Sequence, residues 1–177
     1  FSSLTPDTSY YLFVRAVNRQ GGHTAYTALG STVTYPAEPG STASTFSAVA
    51  ITSMTASWGA NGNPAGTLYE AILSTTTPLI TTNTGNIALS TRPEGGPSGL
   101  FMGLSADTTY HLFARAFGPA GSPTGFSALG STASLADKPS ASSFTAVSSS
   151  AVSLAWSGGS NPSDTLYEAH LSTDAAF

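Results

Sequence analysis

Apolar and polar residues alternate along this chain in short runs, and turn-forming Gly, Pro, Asn and Ser separate the runs. Period two with frequent breaks is the pattern of half-buried strands, and no segment carries a helical period. The pattern predicts strands near Thr45–Ala50, Ser53–Trp58, Leu68–Thr75, Leu79–Thr82, Gly99–Gly103, Thr109–Phe117 and Leu129–Leu135. Alternation also assigns faces. Met54, Ala56 and Trp58 share one side, as do Tyr69, Ala71 and Leu73, and Tyr110, Leu112, Ala114 and Ala116. These residues are the expected core, with Trp58 its largest piece. His111, Phe113, Arg115 and Phe117 fall on the opposite side of their strand.

The pattern repeats. Leu4 to Ala16 matches Leu104 to Ala116, and Ala28 to Thr32 recurs unchanged at Ala128 to Thr132, both at an offset of 100. Phe46, Trp58 and Thr67 to Ala71 recur as Phe144, Trp156 and Thr165 to Ala169, at an offset of 98. A period of about 100 residues is the size of one small sandwich. The sequence therefore divides into the back half of a unit (residues 1–35), a complete unit (38–136) and the front half of another (138–177). The chain starts at Phe1 without Met and reads as a portion of something longer.

The motif Leu4-x-Pro6-x-Thr8-x-Tyr10, followed by alternating residues to Ala16, resembles the tyrosine corner and sixth strand of fibronectin type III domains. Leu104, Thr108, Tyr110 and Ala116 repeat it, with Ala106 in place of the proline. Trp58 and Trp156 resemble that family's second-strand tryptophan, and Tyr69 and Tyr167 its third-strand tyrosine. The resemblance covers the whole chain. It implies an all-β fold of tandem immunoglobulin-like, seven-strand sandwiches, with strands E-F-G in the first segment and A-B-C in the last. It also implies third and sixth strands side by side, which sets Glu70 against Arg115 on the outer face. The Arg-Gly-Asp of integrin-binding members does not occur.

Composition narrows function. Charged residues make up 8% of the 177, with five Lys+Arg against nine Asp+Glu. So few cations cannot form a basic stripe, so neither nucleic acid nor an anionic membrane is an expected partner. There is no cysteine, which excludes disulfides and thiolate chemistry, and no apolar run is long enough to span a membrane. His23, His111 and His170 lack metal-ligand spacing. His111 and His170 align with Tyr11 and Ile72 of the other copies, substitutions that a shared catalytic or metal site would not survive. Asp7 and Asp107, in the corner turns, are expected to cap local backbone donors. No cofactor and no catalytic residue is expected.

What remains is surface. Phe13, Phe113, Phe117 and Ile72 are the expected exposed patch on the outer side of one sheet. The two half units present complementary apolar faces: Tyr10 and Leu12 in the first, Trp156 and Tyr167 in the last. The expectation is that they pair between copies of the chain, with Glu168 meeting Arg15 as Glu70 meets Arg115. Such head-to-tail contacts propagate. The sequence thus reads as an extracellular or cell-surface structural spacer whose partners are other copies or adjacent repeats. The alternative is an adhesion or carbohydrate-binding module with a protein or glycan ligand.

Overall fold

Burial of one face per strand forces two sheets together in the middle unit. The structure is a computed structural model and describes residues 1–91, 97–118 and 121–174; the last three residues of the 138–177 segment lie outside these. All its regular elements are strands: β1 (Ser9–Val14), β2 (Thr27–Val33), β3 (Phe46–Ser47), β4 (Ser53–Ser57), β5 (Leu68–Ser74), β6 (Ile87–Thr91), β7 (Ser98–Met102), β8 (Thr109–Phe117), β9 (Ser127–Ala133), β10 (Ser140–Val147) and β11 (Val152–Ser157). The middle unit is a three-stranded sheet, β3-β4-β7, facing a four-stranded sheet, β6-β5-β8-β9. Every pairing is antiparallel. This is the fibronectin type III-like sandwich that the sequence motifs imply.

The core forms where expected. Met54, Ala56, Trp58, Tyr69, Ala71, Leu73, Tyr110, Leu112, Ala114 and Ala116 are all buried and belong to one cluster, together with Phe101, Leu104 and Leu129. Ala71 stands directly opposite Ala114 in the β5–β8 ladder. Such small residues leave volume between the sheets for larger neighbours. Trp58 is 1% exposed and meets Tyr69 edge-on, with ring centroids 5.9 Å apart. Edge-to-face contact sets the positive rim of one ring against the negative face of the other, which adds to the burial energy.

The corner motif closes as its sequence implies. The Thr5 amide donates to the Tyr10 hydroxyl at 2.8 Å, and the Ser105 amide to that of Tyr110 at 2.9 Å. Thr8 and Thr108 each donate to the carbonyl two residues back, on Pro6 and Ala106. The bond does not require the proline, so Ala106 replaces it without changing the turn. The hairpins also match: β1–β2 and β8–β9 share one register, with a bulge at Leu12/Phe13 and at Leu112/Phe113. Gly30 and Gly130 sit at these bulges with φ of +123° and +127°, a backbone that side-chain-bearing residues avoid.

Two strand expectations need correction. Leu79–Thr82 is not a strand. The Ile80 carbonyl accepts from the Asn83 amide at 3.0 Å and from the Asn86 side chain at 2.9 Å, so the segment is used up in a turn. The strand lies later, at Ile87–Thr91, where Ile87 and Leu89 turn toward the core. The first strand of the unit shrinks to Phe46–Ser47, because Ala48 takes φ +47° and ends the ladder. Its counterpart β10 is longer but breaks register twice.

Trp58→Ala should cost about 3–5 kcal/mol of stability, the cost of emptying a large aromatic site. Urea unfolding followed by circular dichroism measures it.

Candidate functional site

The surfaces that could act on another molecule are the outer face of the four-stranded sheet, the open faces of the half units and the junctions between units. On the outer face, Glu70 and Arg115 are directly opposite in the β5–β8 register, and the Arg115 Nε lies 2.6 Å from the Glu70 carboxylate. The expected pair is present. Partly buried, it stabilises by roughly 0.2–1 kcal/mol and chiefly fixes register. Arg115 also stacks on Phe117 and Phe126, with its guanidinium carbon 5.1 and 4.5 Å from the ring centres. Arg15 stacks likewise on Tyr26.

The expected aromatic patch is smaller than its sequence suggests. Ile72 and Phe113 face each other across β5 and β8 on the side away from the core, yet they are only 5% and 6% exposed. Phe117 is partly covered, while Phe13 is 56% exposed. In the middle unit the patch therefore offers little aromatic surface.

The half units carry the features of the complete one. Trp156 and Tyr167 meet at 5.9 Å, the same edge-on contact as Trp58 and Tyr69. Their faces are open: Val152, Leu154, Trp156 and Tyr167 in the last segment, and Leu12 and Val14 in the first, are exposed. A concavity of about 420 Å³ over β1 and β2 is lined by Phe1, Leu4, Tyr10, Leu12 and Leu29 among others. Residues 166–172, the counterpart of β5, form no strand. Arg15 and Glu168 are not brought together within the chain. His170 instead lies 2.8 Å from Glu168.

The junctions hold residues whose role a local reading misses. Asp7 and Asp107 take φ of +50° and +44°. Their carboxylates do not cap the local turn as expected. Each accepts a hydrogen bond from the following unit: Asp7 from the Thr67 hydroxyl at 2.6 Å, and Asp107 from the Thr165 hydroxyl at 2.7 Å. The Asn63 side chain accepts from the Ala37 amide at 2.7 Å and donates to the Ala37 carbonyl at 2.9 Å. Asn161 does the same to Asp137, at 2.6 and 2.8 Å. The backbone N–H and the hydroxyl of Ser160 hold the Asp137 carboxyl below its usual range. The signal was present in the sequence: the Asp and its Thr recur together, one pair in each copy.

Tyr69 joins the core to this junction. Burial pushes its phenol up, the Asn63 amide opposes that shift, and the Asp7 carboxylate adds to it.

No family model matches the chain, and no curated protein does. Some solved structures are similar to this chain at low identity. A chicken CNTN1 structure of FN1–FN3 domains is 16% identical with a TM-score of 0.43, covering 75% of this chain and 45% of that one. This chain thus spans under half of that chain's length. The fibronectin type III domain of human fibronectin type III domain containing protein 3 is 16% identical with a TM-score of 0.39, covering 58% of this chain and 85% of that one. The titin A168–A170 structure is 17% identical with a TM-score of 0.43, covering 67% and 38%.

An acid whose folded pKa is raised stabilises fully below the unfolded value and loses that contribution as pH rises through the folded one. Tyr69 should therefore ionise above the ordinary tyrosine range, and stability should fall above about pH 10. Ultraviolet titration of the phenolate band, with Tyr69→Phe removing the latest step, checks this.

Proposed function

We propose that this chain is a non-catalytic structural spacer of a secreted or cell-surface repeat protein, and that copies of it join head to tail through their half units. The observation that supports this reading is the complementarity of the two open halves, for which β5 and β8 supply the template. In the complete unit Leu73 faces Leu112, Tyr69 faces Ala116 and Glu70 faces Arg115. Carried over by the repeat offsets, the same ladder sets Leu171 against Leu12, Tyr167 against Ala16 and Glu168 against Arg15 of a second copy. Each apolar face then meets one of the kind that buries it in the complete unit. An added strand also satisfies the backbone groups along the free side of β1. Four ionisable groups, Asp7, Asp107, Glu70 and Arg115, are engaged in structural contacts. The near-complete burial of Ile72 and Phe113 favours the spacer over an adhesion or glycan-binding surface.

Sedimentation across a concentration series is expected to show association, with Trp156 emission shifting to the blue. Glu168→Arg or Arg15→Glu alone should weaken association by up to about fivefold, and the double exchange should restore it. A strictly monomeric particle whose half units are fully ordered would overturn the head-to-tail join.

A further inference from the structure

The two junctions share one set of bonds, although the residues around them differ. Ala37 in the first linker becomes Asp137 in the second, and Pro6 becomes Ala106. Retained through those changes are the left-handed Asp of the corner turn, the Thr before the third strand, and the Asn whose amide brackets one linker residue. The corner Asp is tied to its own strand end as well: the Asp7 amide donates to the Tyr35 carbonyl at 3.2 Å, and the Asp107 amide to that of Leu135 at 3.1 Å. Turn, strand end and linker of one unit therefore move as a block, and that block is bonded to one loop of the next.

We infer that this set is a unit-to-unit recognition interface that fixes the orientation of each sandwich on the one before it. The key is the corner Asp with the linker residue's backbone N–H and C=O. The socket is the Asn and Thr of the following unit, in the loop that follows its second strand. The partner is another copy of the same unit. Three features make the seat directional. The Asn uses both its acceptor and its donor on a single peptide-bearing residue, which fixes the linker's rotation as well as its distance. The Asp must take a positive φ to present its carboxylate, a conformation that Asp and Asn tolerate better than other side chains. At the first junction the approach is also close on either flank: a Cβ on Gly62 would sit 3.5 Å from the Pro6 ring, and one on Gly118 would sit 3.0 Å from the Pro36 ring. The junction is thus a seat with two polar contacts between small apolar walls, unlike a flexible tether.

This inference concerns the array reading but does not depend on head-to-tail joining, so the test is run on the full chain at concentrations where sedimentation shows a monomer. Amide exchange and backbone ¹⁵N relaxation are the readouts. The Ala37 and Asp137 amides should exchange at least about tenfold more slowly than in an unstructured chain. Asn63→Ala should abolish protection at Ala37, leave Asp137 protected, and uncouple the tumbling of residues 9–33 from that of β5 and β8. Asn161→Ala should do the reverse. Asp7→Ala and Asp7→Asn lie outside the complete unit's core, so they remain informative if Asn63→Ala fails to fold. The alanine should loosen the first junction and the asparagine, which keeps both the acceptor and the backbone preference, should hold it. Unprotected linker amides in the parent chain, or equal rigidity in Asp7→Ala and Asp7→Asn, would overturn the proposal.

Discussion

The contact between Trp58 and Tyr69 is the constraint from which the rest of the structure follows. Trp58 comes from one sheet and Tyr69 from the other, so their meeting fixes how the layers face. Tyr69 then extends toward the end of the sandwich, where its phenol is influenced by Asn63 and Asp7. One side chain thus belongs both to the dry interior and to the edge of the contact with the preceding unit. The distance from core to junction is the length of a tyrosine. A core residue of this kind ties the integrity of a sandwich to the seating of its neighbour.

The core was legible in the sequence because one face of each central strand is apolar along its length. β8 runs Tyr110, Leu112, Ala114, Ala116 on one face, and nothing in the surroundings competes with that pattern. The segment at Leu79–Thr82 was misread because adjacent apolar residues suggest a strand, while the asparagines that claim the Ile80 carbonyl lie three and six residues further on. Burial of Phe113 and Ile72 was illegible for a different reason: alternation tells which side of a sheet a residue faces, and says nothing of what lies over that side. The role of Asp7 and Asp107 was missed because a turn aspartate has ready local partners, whereas its actual partner is 60 or 58 residues away. Comparison of the copies with each other holds that information, since both members of the pair recur.

Low charge shapes how such a chain gains specificity. With few ion pairs to distribute, orientation is assigned to hydrogen bonds made by Thr, Asn and backbone groups, with the carboxylates of Asp7 and Asp107 among the acceptors. These bonds are short-ranged and directional. Unlike exposed charges, they are little affected by salt.

The abbreviated β3 has a consequence for the array as a whole. Tandem sandwiches of similar sequence hold many strands that could pair with the wrong neighbour during folding, and a long, regular outer strand is where such misassembly begins. Here one of the two outer strands of the three-stranded sheet is cut to Phe46–Ser47 by the left-handed Ala48, and its counterpart β10 loses register twice along its length. A foreign strand laid along either would find only a few consecutive partners before the spacing failed. The irregularity weakens the sheet locally and shortens the stretch of this edge that a foreign strand could follow.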